Sequence, residues 1–265
     1  MRFSGFLKIL LLFIAPFLLK AQQRNFIPNA SGKSTLSELQ FAQNPALFKN
    51  IDSSILAVGY TPSRFGLTEL ATSELLFGRR FTDELVIAAQ ISGLGNELYN
   101  EISGTIHASL KTTENLTLGA GAQLSRISFK NEESDFTAQF HAGAILELTD
   151  ILNAGFSLKN VTRAEYSESE SVSQEADFGL GIEPFKNLFF DAGARILFNQ
   201  SSGISLAASY KDFKYIHFSL AVLSNPRTAE LQFAIPNFYN FTISGTAHYH
   251  DILGFSERIG IAYYF

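Results

Sequence analysis

The chain has 265 residues, no cysteine and a formal net charge of −5, with 26 Phe, 9 Tyr and no Trp. The missing cysteines exclude disulfides and thiolate metal sites, and an acidic chain without a basic stripe argues against a nucleic-acid partner. Apolar residues make up 46% of the sequence, yet no apolar run after residue 21 is long enough for a membrane helix, so the apolar content must be distributed by alternation.

Residues 1–21 combine Arg2 and Lys8 with an apolar run from Ile9 to Leu19 and a small residue, Ala21, before Gln22. That is the layout of a cleavable secretory signal, and its apolar run is shorter than the roughly twenty residues a membrane helix needs. Cleavage there removes Arg2, Lys8 and Lys20 and no acid, taking the net charge from −5 to −8. Residues 22–52 follow as an N-terminal plug or periplasmic segment. Within it STLSELQFAQNPALFKN reads as a short helix and an irregular stretch, because Asn44-Pro45 favours a turn.

From Ile55 onward the pattern has period two. Phe136, Ala138, Phe140, Ala142, Ala144, Leu146 and Leu148 form one face, while Thr137, Gln139, His141, Gly143, Ile145 and Glu147 form the other. Strands are predicted over 53–62, 68–79, 83–93, 99–112, 115–129, 135–148, 151–162, 175–184, 187–199, 203–212, 215–224, 228–236, 240–250 and 255–265. Most approach the nine to eleven residues of a tilted membrane strand, and the even count suits a single-chain bacterial barrel. The expected fold is all-β: a transmembrane antiparallel barrel of about fourteen strands over 53–265, with a short N-terminal helix or plug. A soluble sandwich would alternate too, but it would leave the signal and the closing aromatic strand unexplained.

The connections bear on topology. With a periplasmic N-terminus, the short inner turns fall at Phe81–Asp83, Thr113-Glu114, Thr149-Asp150, Pro184–Asn187, Asp212–Lys214 and Asn237–Asn240. The outer connections include Ser92–Asn100, Lys130–Asp135 and the acid-rich Val161–Glu175, with a tight NQSSG turn near residue 200.

On this alternation His107, His141, Glu147, Asp191, Arg195, His217, His248 and Arg258 face the lumen, with Lys159, Glu230 and His250 on the same side. His248 and His250, two apart on one strand, could both meet a metal ion, but a wet lumen collects polar side chains anyway. No metal, cofactor or catalytic residue is assigned. Ser205, Ser219 and Ser244 share the inner face with His217 and His248, but no nucleophile motif frames them. Gly119-Ala120-Gly121 and Gly179-Leu180-Gly181 lie inside strands and open no helix, so they read as relief of crowding rather than a phosphate cradle.

The closing LGFSERIGIAYYF, with Tyr263 and the terminal Phe265 on one face, resembles the C-terminal assembly signal of outer-membrane barrels, which implies the barrel assembly machinery as a partner. Together with the pre-barrel QNPALFKN it resembles the PorV/PorQ-like relatives of the FadL long-chain fatty-acid transporter. This chain is shorter than those proteins, has trimmed outer loops, and lacks their Gly- and Ala-rich run before Asn-Pro-Ala. The resemblance implies a plug or barrel-entry role for Asn44, Pro45 and Ala46, against which stands a simple helix-ending turn. It also implies an outer-membrane location after signal cleavage, the lipid bilayer as surroundings, and secretion-system (type IX) or cell-surface proteins as partners. The alternative is a FadL-like transporter or pore for hydrophobic small molecules. That alternative calls for an apolar pocket, which inward faces rich in Gly, Ala, Ser, Thr and charge do little to build. A barrel enzyme is a third reading, and a non-enzymatic protein is expected.

Overall fold

The computed structural model describes residues 27, 29–167, 170–198, 202–211 and 215–265. The secretory segment 1–21, the turn at 212–214 and the first three residues of the NQSSG turn (199–201) lie outside them. Two 3₁₀ helices come first, η1 (Glu38–Gln43) and η2 (Pro45–Asn50), where a single short helix was expected. The first seven strands are β1 (Ser54–Thr61), β2 (Thr72–Arg80), β3 (Leu85–Gly95), β4 (Tyr99–Lys111), β5 (Leu116–Phe129), β6 (Asp135–Glu147) and β7 (Leu152–Lys159). A small hairpin follows, β8 (Glu165–Ser167) and β9 (Glu170–Ser171). The rest are β10 (Glu175–Phe185), β11 (Leu188–Leu197), β12 (Gly203–Tyr210), β13 (His217–Ser224), β14 (Arg227–Phe238), β15 (Phe241–His250) and β16 (Gly254–Tyr264).

Apart from the β8–β9 hairpin, the strands form one closed antiparallel barrel of fourteen, each next to its neighbour in sequence, with β16 returning to β1. The seam runs from Ile55 opposite Tyr264 to Tyr60 opposite Ile259, and Ser54 and Phe265 exchange backbone hydrogen bonds at its foot. Closure leaves no unpaired strand edge, the condition for spanning a bilayer with strands.

Alternation fixes which side chains face out. On β1, Leu56, Val58 and Tyr60 are exposed, while Ile55, Ala57 and Thr61 between them are buried. The same exposed apolar face continues around the wall, for instance at Leu124, Phe140, Leu180, Leu206 and Leu220. A continuous belt of bare Leu, Ile and Phe is stable against lipid and not against water, so the barrel is membrane-spanning. At the rim where β1 begins and β16 ends, Phe77, Phe241, Tyr263 and Phe265 stack in pairs with centroids 4.8 to 6.4 Å apart, as in an interfacial aromatic girdle.

That rim has tight turns. Residues 239–240 form a two-residue hairpin loop with φ of 52° and 64°, both in the left-handed region that this turn type demands. Pro184 and Pro236 fall where the β10–β11 and β14–β15 ladders shift register, positions that tolerate a residue without an N–H. At the opposite rim two connections are long, 62–71 and 160–174; the one at 96–98 is shorter than the expected Ser92–Asn100, while 130–134 falls where Lys130–Asp135 was expected. The predicted second strand begins at residue 68, but Thr68–Leu70 is a 3₁₀ turn within the 62–71 loop and β2 starts at Thr72.

Candidate functional site: an occupied lumen

The segment before β1 runs through the inside of the barrel. Its apolar side chains, Leu39, Phe41, Leu47, Phe48 and Ile51, form the principal buried cluster with Ile55, Ala57, Leu76, Val86, Ala88 and Ile145 from the inner wall. This explains why β1 to β3 carry apolar residues on a face that would otherwise be wet. The inner wall meets the segment with glycine where the two backbones approach. A Cβ at Gly119 would lie 2.2 Å from the Ala46 nitrogen, one at Gly143 2.0 Å from Asn44 Oδ1, and one at Gly155 2.0 Å from the Ala30 oxygen. Gly119 therefore does relieve crowding, against the docked segment.

Polar groups fix the register of the segment. Asn44 is fully buried; its Nδ2 donates to the carbonyls of Ala30 (2.7 Å) and Ala144 (3.3 Å), and its Oδ1 accepts from Ala46 N (3.1 Å), capping η2 at Pro45. Ser109 Oγ donates to the Ala46 carbonyl at 3.1 Å. Asn44, Pro45 and Ala46 thus sit at the junction of η1 and η2, against β4, β5 and β6. Nearer the chain start, Asp191 accepts from Ser34 N and from Asn29 Nδ2, Asn153 Nδ2 donates to the Ser31 carbonyl (3.0 Å), and Ile27 N donates to Glu230 (3.2 Å). At the rim where β1 begins and β16 ends, Arg80 donates to the carbonyls of Ile51 and Lys49, Lys49 pairs with Glu147, and Glu38 accepts from the Tyr264 hydroxyl.

Above the segment lies a cavity of about 140 Å³ floored by Leu39, Ala42 and Gln43. His107 stands in its wall, fully buried, with its ring 4.7 Å from that of Phe48. His141 is across Gly121 in register with it; its Nε2 pairs with Gln123 Oε1 (3.0 Å), and its Nδ1 accepts from Asn160 N (3.2 Å). The wall charges are matched. Arg195 binds Glu175 and Asp177, each at 3.0 Å, Lys159 reaches Glu175 at 3.2 Å, and Arg258 pairs with Glu74. Buried charge in a membrane-spanning wall persists only when paired in this way.

The remaining lumen-facing residues lie apart from this cavity. His248 faces Glu230 at 3.4 Å, and His250 Nδ1 accepts from the backbone of Ile252 and Leu253, so the two imidazoles are engaged with different partners. His217 lies in register with Ala234, at the start of β13. Ser244 donates to the Gly260 carbonyl rather than to a histidine. Among the described residues no three His, Asp or Glu side chains gather as a metal site. The partners Glu74, Glu101, Glu175 and Asp177 were not singled out from the sequence, although strand parity places each inward.

No protein-family model matches the sequence, and no curated protein matches it. Solved structures do. A FadL homologue from Pseudomonas aeruginosa aligns with TM-score 0.62 at 13% identity, over 88% of this chain and 96% of that one. The toluene transporter TodX of Pseudomonas putida aligns with TM-score 0.63 at 9% identity, over 88% and 94%, and the monoaromatic hydrocarbon channel CymD with 0.60 at 13%, over 91% and 94%. The chain therefore has the fold of the FadL-like membrane channels: a fourteen-stranded barrel.

Proposed function

We propose that this protein is an outer-membrane uptake channel of FadL-like build, closed by its own N-terminal segment, with the rim where β1 begins and β16 ends facing the periplasm. The observation behind this reading is the docking of residues 29–51 inside the wall through hydrogen bonds and small-residue contacts, with no covalent link, below a cavity in the same lumen. A segment so held closes the barrel yet can be released. The proteins of similar fold are named as channels and transporters, which favours transport over the secretion-component reading. The latter has only Asn44-Pro45-Ala46 and the last strand behind it. No residue is assigned to catalysis.

The test uses the absence of native cysteine. Lys49 contacts Glu147 across the plug–wall interface, so a Lys49→Cys, Glu147→Cys protein can be bridged by a short bifunctional thiol reagent. In a liposome-swelling assay with small solutes, the unbridged protein is expected to admit solute at least about tenfold faster than the bridged one. Equal rates in both states would contradict a gate formed by this segment.

A further inference from the structure

We propose that the lumen cavity is a binding site for a small neutral polyol. The site lies in the channel proposed above, and its access route rests on that reading. Three observations define the ligand.

The first is unmet hydrogen bonding. His107 is 2% exposed and neither ring nitrogen has a partner, Gln139 is 4% exposed with a free Nε2, and Gln43 Nε2 on the floor is also unpartnered. All three side chains line the cavity. Buried polar groups cost free energy unless something satisfies them. A neutral imidazole offers one donor and one acceptor, and a glutamine amide offers two donors. A hydroxyl, which both donates and accepts, matches that mixture; a hydrocarbon would leave every one of these groups bare.

The second is charge. Around the cavity Glu74, Glu101, Glu175 and Asp177 are answered by Arg64, Arg258, Arg195 and Lys159. The wall has no surplus of either sign to neutralise an ion, so the ligand is uncharged. The third is size. On a scale where one water takes about 10–15 Å³, about 140 Å³ has room for roughly ten waters or for a small polyol such as glycerol. Gly121 makes part of this room, since a Cβ there would stand 2.9 Å from His107 Nδ1.

The site differs from what toluene or another monoaromatic would need. Leu39 and Ala42 are the only aliphatic side chains among its described lining. The barrel therefore keeps the architecture of hydrocarbon channels while its cavity wall carries amides, hydroxyls and imidazoles.

The experiment is a titration of the full chain in lipid nanodiscs with glycerol, followed by ¹⁵N resonances of the histidine rings. The expected result is a saturable shift at His107 and His141, with His217 and His250 unmoved, and a half-saturation concentration raised about tenfold by Gln139→Leu, the loss of one buried hydrogen bond. If Gln139→Leu does not fold, Thr105→Val at the same wall takes its place. A linear drift of all five histidines, as from a change of solvent, would mean that the cavity holds only water and would overturn the proposal. A response to toluene and none to glycerol would overturn it while leaving the channel intact. A saturable His107 shift in a protein that passes no solute in the swelling assay would uphold the site and take down the channel.

Discussion

Asn44 ties the docked segment to the barrel wall at its centre. It is fully buried, caps η2, and ties the segment both to its own earlier turn at Ala30 and to the wall at Ala144. Replacing it by alanine removes its donor from the Ala30 and Ala144 carbonyls and uncaps Ala46 N–H, at a cost of about 1–3 kcal/mol. The cost should fall on docking rather than on the barrel, because no strand-to-strand bond involves Asn44. Limited proteolysis checks this: Asn44→Ala is expected to expose residues 29–51 to cleavage while the barrel keeps its heat-resistant electrophoretic mobility. Unchanged protection of the segment would show that its apolar face alone holds it.

At the scale of elements, the plug and the β12 end are coupled near the rim where β1 begins. Lys211, just past β12, donates to the Lys33 carbonyl at 2.8 Å and lies 4.6 Å from the centre of the Phe189 ring. Burial pushes its ammonium down to about 8, against the opposing pull of Asp191. The unfolded chain, with an ordinary lysine pKa of about 10.4, then binds the extra proton between about pH 8 and 10.4. Stability should accordingly rise with pH across that window and be lowest, for this group, below it. Denaturation midpoints of the native protein and of Lys211→Met, compared from pH 8 to 10.4, measure the effect. The native curve is expected to climb relative to the variant, and parallel curves would refute the coupling.

Elements were also where the sequence spoke most clearly. Period-two alternation persists through every barrel strand, so all fourteen were legible to within a few residues, as at Asp135–Glu147 and Phe241–His250. The β8–β9 hairpin was not, because EYSESESVSQE has no apolar face to alternate. The docking of the plug was hidden for a different reason. Gly119, Gly143 and Gly155 look like weak strand residues until Ala46, Asn44 and Ala30 are brought against them, and no local pattern announces a contact between segments so far apart in the chain. The ion pairs of Arg195 and Arg258 fall between these cases: parity gives the face, and only the barrel register gives the partner.

At the scale of the molecule, a closed wall with an apolar exterior encloses a lumen divided between a docked segment and a polar cavity. The seam between β1 and β16 leaves no gap in the wall, so in the proposed channel opening falls to the segment inside it. Steady-state conductance in planar lipid bilayers tests that division most directly. The native protein is expected to stay closed with rare, brief openings, and Asn44→Ala to open often to one larger level. A large, steady conductance of the same size in both proteins would contradict a lumen closed by its N-terminal segment.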